Sequence, residues 1–228
     1  MPASQLFLYN IAIASVGERT LDAVTENRPI RRQLDEIWDR GNGARNYFLE
    51  QGLWNFAMRE SSSTASSTGN FDFAQRHVKP TDLVRLSAIS AGQTFSEPLL
   101  RYEFQSSSIW ADEQTIYLRY VSNSSTAGLN YDLWPDSFML WAGHWMGTQI
   151  APYVFGTQGL ERASRNNFQE GLTRKMLDLE RRTNRLLIDA RSKDAQQEPT
   201  RFPPLGSWAR ARFGGRRGDR GSRTNLTE

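Results

Sequence analysis

Cysteine is absent from the chain. That excludes disulfides, thiolate nucleophiles and cysteine-held zinc together, and it fits synthesis in a reducing cytoplasm. Histidine is nearly absent too. His77 lies in a polar link before Pro80, and His144 lies between Trp141 and Trp145, so the two fall in different elements and make no metal site. Long apolar runs are missing: the longest, Phe138 to Phe155, is interrupted by His144, Gln149 and Pro152, so no membrane span is expected. The first residues, MPASQLFLYNIAIASVGE, lack the basic region of a signal peptide.

No nucleophile elbow, Walker loop or dinucleotide fingerprint occurs. The glycines of GNG at 41–43 and FGGRRG at 213–218 do not sit between a strand and a helix. Glu50, Glu60, Asp112 and Glu113 could pair in space, but nothing singles them out as an acid–base couple. Arg217-Gly218-Asp219 spells an adhesion tripeptide by coincidence of an Arg/Gly-rich segment, and the sequon at Asn225 means nothing without secretion. The expectation is no catalytic residue, no metal and no cofactor.

Large apolar groups are plentiful. The 228 residues are 38% hydrophobic and 11% aromatic, with seven tryptophans, enough for one large domain or a domain with an insertion. Charge is unevenly placed. Arg201 to Glu228 holds seven arginines against Asp219 and Glu228, a net of +5 in a chain of +3, which leaves −2 for the first 200 residues. The basic character belongs to the C-terminal arm rather than to the body.

Along the chain, Ser4 is a helix cap, with Leu6, Tyr9, Ile13 and Val16 at helical spacing and Gly17 as the stop. A second helix is predicted from Asn27, with Pro29 in its first turn, Ile30, Leu34, Ile37 and Trp38 on one face, and Gly41 as its end. A third covers Asn42 to Gln51 and buries Ala44, Tyr47 and Phe48. SSSTASSTGN, residues 61–70, reads as a low-complexity loop with nothing to bury. LVRLSAI, LLRYEFQ and TIYLRYV read as strands, with Ile116, Leu118 and Tyr120 on one face of the last and Tyr117, Arg119 and Val121 on the other. Helix resumes at Pro135-Asp136, with Phe138, Trp141 and Trp145 on one face and a break at Gly156 and Gly159. A long helix is predicted from Leu160 to Ser192, striped by Phe168, Leu172, Met176, Leu179, Thr183, Leu186 and Ala190.

The predicted class is therefore α+β: an antiparallel helical bundle (residues 1–60 and 134–192), a small antiparallel β-rich insertion (61–133) and an extended Arg/Gly-rich arm (193–228).

The order of these pieces resembles the tail tubular protein A family, the head-to-tail adaptors of short-tailed, podophage-type bacteriophages. The likeness is carried by Val16-Gly17, Thr25-Glu26, Asp35 and Trp54-Asn55-Phe56-Ala57. Farther on come Pro80-Thr81-Asp82-Leu83-Val84-Arg85-Leu86, Ile116 to Val121 and Trp134-Pro135-Asp136-Ser137-Phe138. It spans about residues 5–190; the arm is richer in Arg and Gly than the family pattern. The resemblance implies a structural virion protein without enzymatic activity. In it, about twelve copies form a ring between the portal protein and the tail nozzle (tail tubular protein B-like) at the head–tail junction. The ring would extend the channel through which viral DNA passes without sequence-specific binding. The protein would be made in the host bacterial cytoplasm.

Within that reading the arm docks on the portal. Arg210, Arg212, Arg216, Arg217, Arg220 and Arg223 would pair with carboxylates, and Trp208 and Phe213 would act as apolar anchors. The alternative is a nucleic-acid-binding protein acting through the same arm, which is similar to RGG segments and would neutralise phosphates without reading sequence.

Overall fold

The computed structural model describes residues 4–39, 43–69, 72–95, 98–162 and 167–197. The chain divides into two units, Met1–Ala195 and Gln196–Glu228, and every described strand belongs to the first.

Helix α1 (Gln5–Ser15) begins where expected: the Ser4 side chain accepts the Phe7 N–H at 3.2 Å. It ends at Gly17, whose φ of +80° lets the Gly17 and Glu18 amides turn back onto the Ala14 and Ile13 carbonyls. Helix α2 (Pro29–Asp39) starts on Pro29, where a missing N–H costs nothing, and buries Ile30, Leu34 and Trp38. Helix α3 (Gly43–Glu50) buries Ala44, Phe48 and Leu49, leaving Tyr47 exposed. A single 3-10 turn at Asn55–Ala57 then feeds the strands.

Seven strands follow: β1 (Met58–Thr64), β2 (Ser67–Thr68), β3 (Gln75–Val78), β4 (Leu83–Ser90), β5 (Tyr102–Gln105), β6 (Ser108–Ala111) and β7 (Thr115–Ser122). They form two antiparallel sheets, one ordered β1-β7-β4 and the other β2-β3-β6-β5. The serine tract is not a loop. Ser61 to Thr64 pair with Leu118 to Thr115 along β7, and Ser67 and Thr68 pair with Arg76 and Gln75. Serine hides a strand at an edge, because no alternation of apolar residues is needed where one flank faces water.

The chain is mixed α/β with two sheets, not the antiparallel helical bundle expected from the sequence. The physical reason lies in β7. Ile116, Leu118 and Tyr120 face a core between the sheets, together with Leu83, Ile89, Ile109 and Ala111. Val121 turns the other way, into a core shared with the helices, where Met58 and Val84 also pack. The helices thus bury their apolar faces partly on a sheet instead of closing on one another.

Two long helices complete the fold, α4 (Asp136–Arg162) and α5 (Asn167–Gln197). Gly156 and Gly159 do not break α4, which runs on through Pro152 to Arg162, so α5 starts later than Leu160. Isolated glycines lower helix stability by only about 1 kcal/mol each, less than tertiary packing can offset. Of the predicted stripe on α5, Leu179, Thr183 and Ala190 are buried, while Met176 and Leu186 pack part-buried. Phe168 and Leu172 have no described side-chain environment.

Helix α4 lies against α1 closely enough to require glycine. A Cβ at Gly143 would stand 2.5 Å from Ile11 Cγ2 and 3.3 Å from the Leu8 carbonyl oxygen; one at Gly147 would stand 3.0 Å from the Ala12 carbonyl oxygen. Gly156, on the same helix, has open space around it. Gly143→Ala is therefore expected to lower the denaturation midpoint, since forcing the helices apart costs about 1–3 kcal/mol. Gly156→Ala is expected to raise it by up to roughly 1 kcal/mol through helix propensity. Urea titrations of the two variants, read by far-UV circular dichroism, should move in opposite directions.

Candidate functional site

The residues that stand out in the sequence are, in the structure, joints of the framework. Trp54 is buried. Its indole N–H donates to the Phe48 carbonyl at 2.9 Å, and its ring meets Phe138 edge-on at 4.8 Å and stacks on Trp141 at 5.9 Å. Trp134 repeats the device 80 residues later, donating to the Gly128 carbonyl at 2.8 Å and meeting Phe138 at 4.7 Å. Both indoles bring a large apolar surface with a single donor, and each donor is satisfied by a carbonyl six residues upstream.

Asn55 holds a distant part of the chain. Its backbone N–H lies 3.1 Å from both carboxylate oxygens of Asp194, and its Nδ2 donates to the Asp194 carbonyl at 2.7 Å. Beside it, the Arg191 guanidinium donates to the Gln51 carbonyl. These contacts fix the last turns of α5 to the corner after α3. No local pattern announces Asp194, which is buried although charged; the sequence reading missed both it and Arg191.

Asp82 ties three strands together. It accepts from Ser122 Oγ at 2.6 Å, Tyr120 Oη at 3.1 Å and Arg59 at 3.2 Å, and its carbonyl accepts the Asn123 N–H at 2.9 Å. Burial alone would raise its pKa, but the hydroxyls of Ser122 and Tyr120, its own backbone and the Arg59 charge outweigh burial and hold it below 3.8. The same burial, with the facing carboxylate, pushes Tyr120 up to about 12. Asp35 serves the helices in this way: Tyr9 donates to it at 3.0 Å and Arg31 at 2.5 Å, and burial first, then this carboxylate, raises the Tyr9 pKa.

The two histidines are buried and apart. His77 Nδ1 lies 3.1 Å from the Ser63 carbonyl and Nε2 3.0 Å from the Glu113 carbonyl, so the ring links β3 of one sheet to β1 of the other. His144 Nδ1 lies 2.9 Å from the Leu140 carbonyl. Burial pushes its pKa down, a shift the carbonyl partly opposes and Arg182 reinforces.

The four carboxylates weighed as a possible acid–base couple, Glu50, Glu60, Asp112 and Glu113, have separate surroundings. Glu60 accepts two bonds from Arg119, at 2.8 and 2.6 Å, and Asp112 pairs with Arg101 at 3.2 Å and accepts the Ala74 N–H at 3.1 Å. Glu113 sits on the β6–β7 turn, where its carbonyl meets His77, and Glu50 closes α3, where its carbonyl accepts from Arg85 at 2.9 Å. Among the described residues no three His, Asp or Glu side chains come close enough to hold a metal ion, and no helix is long and apolar enough to cross a membrane.

What remains available for recognition is surface. The outer face of α5 exposes Leu177 and Ile188 among Arg174, Arg181 and Arg185, and the outer strand β5 exposes every one of its side chains. A groove of about 380 Å³ between the end of α1, Phe155 and α5 is flanked by Lys175, Asp178 and Arg182. Trp208, Arg210, Arg212, Phe213, Arg216, Arg217, Arg220 and Arg223 lie outside the described residues. No protein-family model matches the chain, and no curated protein matches it either.

Two stability predictions follow from these joints. Asp82 is more acidic folded than unfolded, so its contribution is present above about pH 4 and is lost as pH falls through its folded pKa. Wild type should lose more stability than Asp82→Asn between about pH 6 and pH 3, the variant being weaker at neutral pH by about 1–3 kcal/mol; chemical denaturation at the two pH values measures both. Asp194→Ala should speed hydrogen exchange selectively in the last turns of α5 and in residues 51–57, leaving the β7 amides unchanged. Exchange mass spectrometry reads that pattern.

Proposed function

We propose that the protein is a structural virion component: a ring-forming head-to-tail adaptor of a short-tailed bacteriophage that joins the portal to the tail nozzle and extends the DNA channel. The observation that carries this reading is the ordered series of motifs from Val16-Gly17 to Trp134-Pro135-Asp136, together with the part those residues play. Trp54, Asn55, Asp82 and Trp134 each hold elements in place through buried or half-buried hydrogen bonds. Such residues define a scaffold, and a scaffold whose described surface offers a helix face and a strand edge, in a chain that also carries a basic C-terminal sequence, is suited to assembly.

In this reading about twelve copies sit beneath the portal, and the arm beyond residue 193 supplies the attachment. Its arginines offer planar, bidentate donors to carboxylates of the portal, and Trp208 and Phe213 set its register. The body's formal charge of −2 over the first 200 residues favours passage of DNA through the ring without adhesion. The protein would reside at the head–tail junction of the virion after synthesis in the bacterial cytoplasm, with no cofactor.

Mixing the purified full-length chain with its portal should give, by cryo-electron microscopy or native mass spectrometry, a ring of about twelve copies on the portal. A chain that stays off the portal overturns the proposal. Removing residues 201–228 should abolish portal association. If the deletion instead leaves portal association intact and removes a salt-sensitive affinity of the whole protein for DNA, the arm is a nucleic-acid-binding segment and the docking role assigned to it is wrong.

A further inference from the structure

Strand β5 is an outer strand of its sheet, paired with β6 on one side and with no described strand on the other. It is joined to β6 by a two-residue turn, Ser106-Ser107, with Ser106 at φ +52° and Gln105 opposite Ser108. A two-residue hairpin makes its closing residues a hydrogen-bonded pair, and such pairs alternate along the ladder. Gln105 and Glu103 therefore spend their backbone groups on β6, whereas the N–H and C=O groups of Phe104 and Tyr102 point outward. The side chains there are apolar and accessible: Tyr102 is 36% exposed, Phe104 38% and Leu100, just before the strand, 92%. The rings of Tyr102 and Phe104 touch edge-on at 5.9 Å.

The segment Leu100-Arg101-Tyr102-Glu103-Phe104 is self-complementary about Tyr102. Laid antiparallel against a second copy with Tyr102 opposite Tyr102, it sets Arg101 opposite Glu103 twice and Leu100 opposite Phe104 twice. The residues whose backbone groups point outward are the ones this register joins by hydrogen bonds. A two-fold register centred on Glu103 would also join Tyr102 to Phe104 by outward backbone groups, but it sets Glu103 opposite Glu103 in a close non-hydrogen-bonded pair, where like charges repel. One centred on Phe104 would leave Arg101 opposite Ser107. Parallel pairing would oppose like charges. Charges on an outer strand usually guard it against pairing, but guards of opposite sign two residues apart instead select one register.

We propose that two copies of this chain pair through β5 in this register, making a continuous sheet across a two-fold axis. The contact closes on itself at two copies, so it concerns free copies rather than the closure of a ring, and it does not rest on the adaptor reading. Being one short strand wide, it forms a weak, concentration-dependent dimer.

Sedimentation velocity of the full-length protein over a wide concentration range should show reversible dimerisation. Because the chain has no cysteine, Tyr102→Cys reports the register directly. Facing residues of a hydrogen-bonded pair have Cα atoms about 5.5 Å apart, within disulfide reach, so mild oxidation should give a covalent dimer on a non-reducing gel. Val78→Cys, more exposed than Tyr102 but on β3, should not. Glu103→Arg should raise the dissociation constant about ten-fold, because both charge pairs become repulsive. Arg101→Glu combined with Glu103→Arg should restore it, with circular dichroism confirming that loss of the Arg101–Asp112 pair leaves the fold intact. Wild-type protein that stays monomeric throughout, or a dimer indifferent to Glu103→Arg and not cross-linked at position 102, overturns the proposal.

Discussion

The approach of α1 to α4 at Gly143 and Gly147 is the constraint on which the rest of the structure depends. With backbone against side chain at the distances found there, α4 cannot rotate about its axis without a clash, and its remaining faces are thereby assigned. Phe138 and Trp141 turn toward Phe48 and Trp54, with ring centroids between 4.8 and 6.4 Å. Trp145 turns toward Tyr47 at 4.7 Å. Edge-to-face and offset contacts of this kind are directional, so a helix held in one rotation lets a cluster of large rings reach a single arrangement. The same fixed helix carries His144 into a buried position where its charged form is disfavoured.

A second constraint is the sheet that the two cores share. Strand β7 alternates, and each of its faces finds a different partner: the second sheet on one side, the helical core through Val121 on the other. Asp82 holds this shared sheet at its corner, where the start of β4 meets β7 and β1. A carboxylate there is stable as an ion because two hydroxyls and a guanidinium replace the water it loses. The sheet is therefore one wall of the helical core, reached through Val121, Met58 and Val84, while the helices bury the rest of their apolar faces on one another.

How much of this was legible follows from the range of the interactions. Caps and stops act over a few residues, so Ser4, Gly17 and Pro29 could be read directly, as could the alternation of TIYLRYV. The serine strand β1 could not, because its evidence is the partner strand β7, some fifty residues away. The end of α4 is not legible, because Gly156 and Gly159 look like helix stops while nothing near Gly156 demands one. The motifs that carried the family resemblance, Trp54-Asn55 and Asp82 among them, proved to be positions of dense hydrogen bonding. Asp194, the long-range partner of Asn55, and Arg191, which bonds Gln51 nearby, have no signature in sequence. A buried carboxylate near a helix end looks like any exposed one until the amide that it satisfies is found 139 residues away.

The joints built on Trp54, Trp134 and Asp194 point inward, and in the adaptor reading recognition falls to features that do not disturb them. This separation matters for a chain whose charge is divided as this one is. At physiological ionic strength the field of an exposed charge decays over about 8 Å, so a basic arm and an acidic body do not steer each other at long range; arginines act when carboxylates are within bidentate reach. An attachment built only from such contacts would be strong but poorly registered, since any acidic surface could satisfy it. In the adaptor reading, Trp208 and Phe213 supply the missing selectivity. A buried aromatic side chain fits one pocket, and the alternation of charged and aromatic residues converts a general affinity for acidic protein into a particular seat.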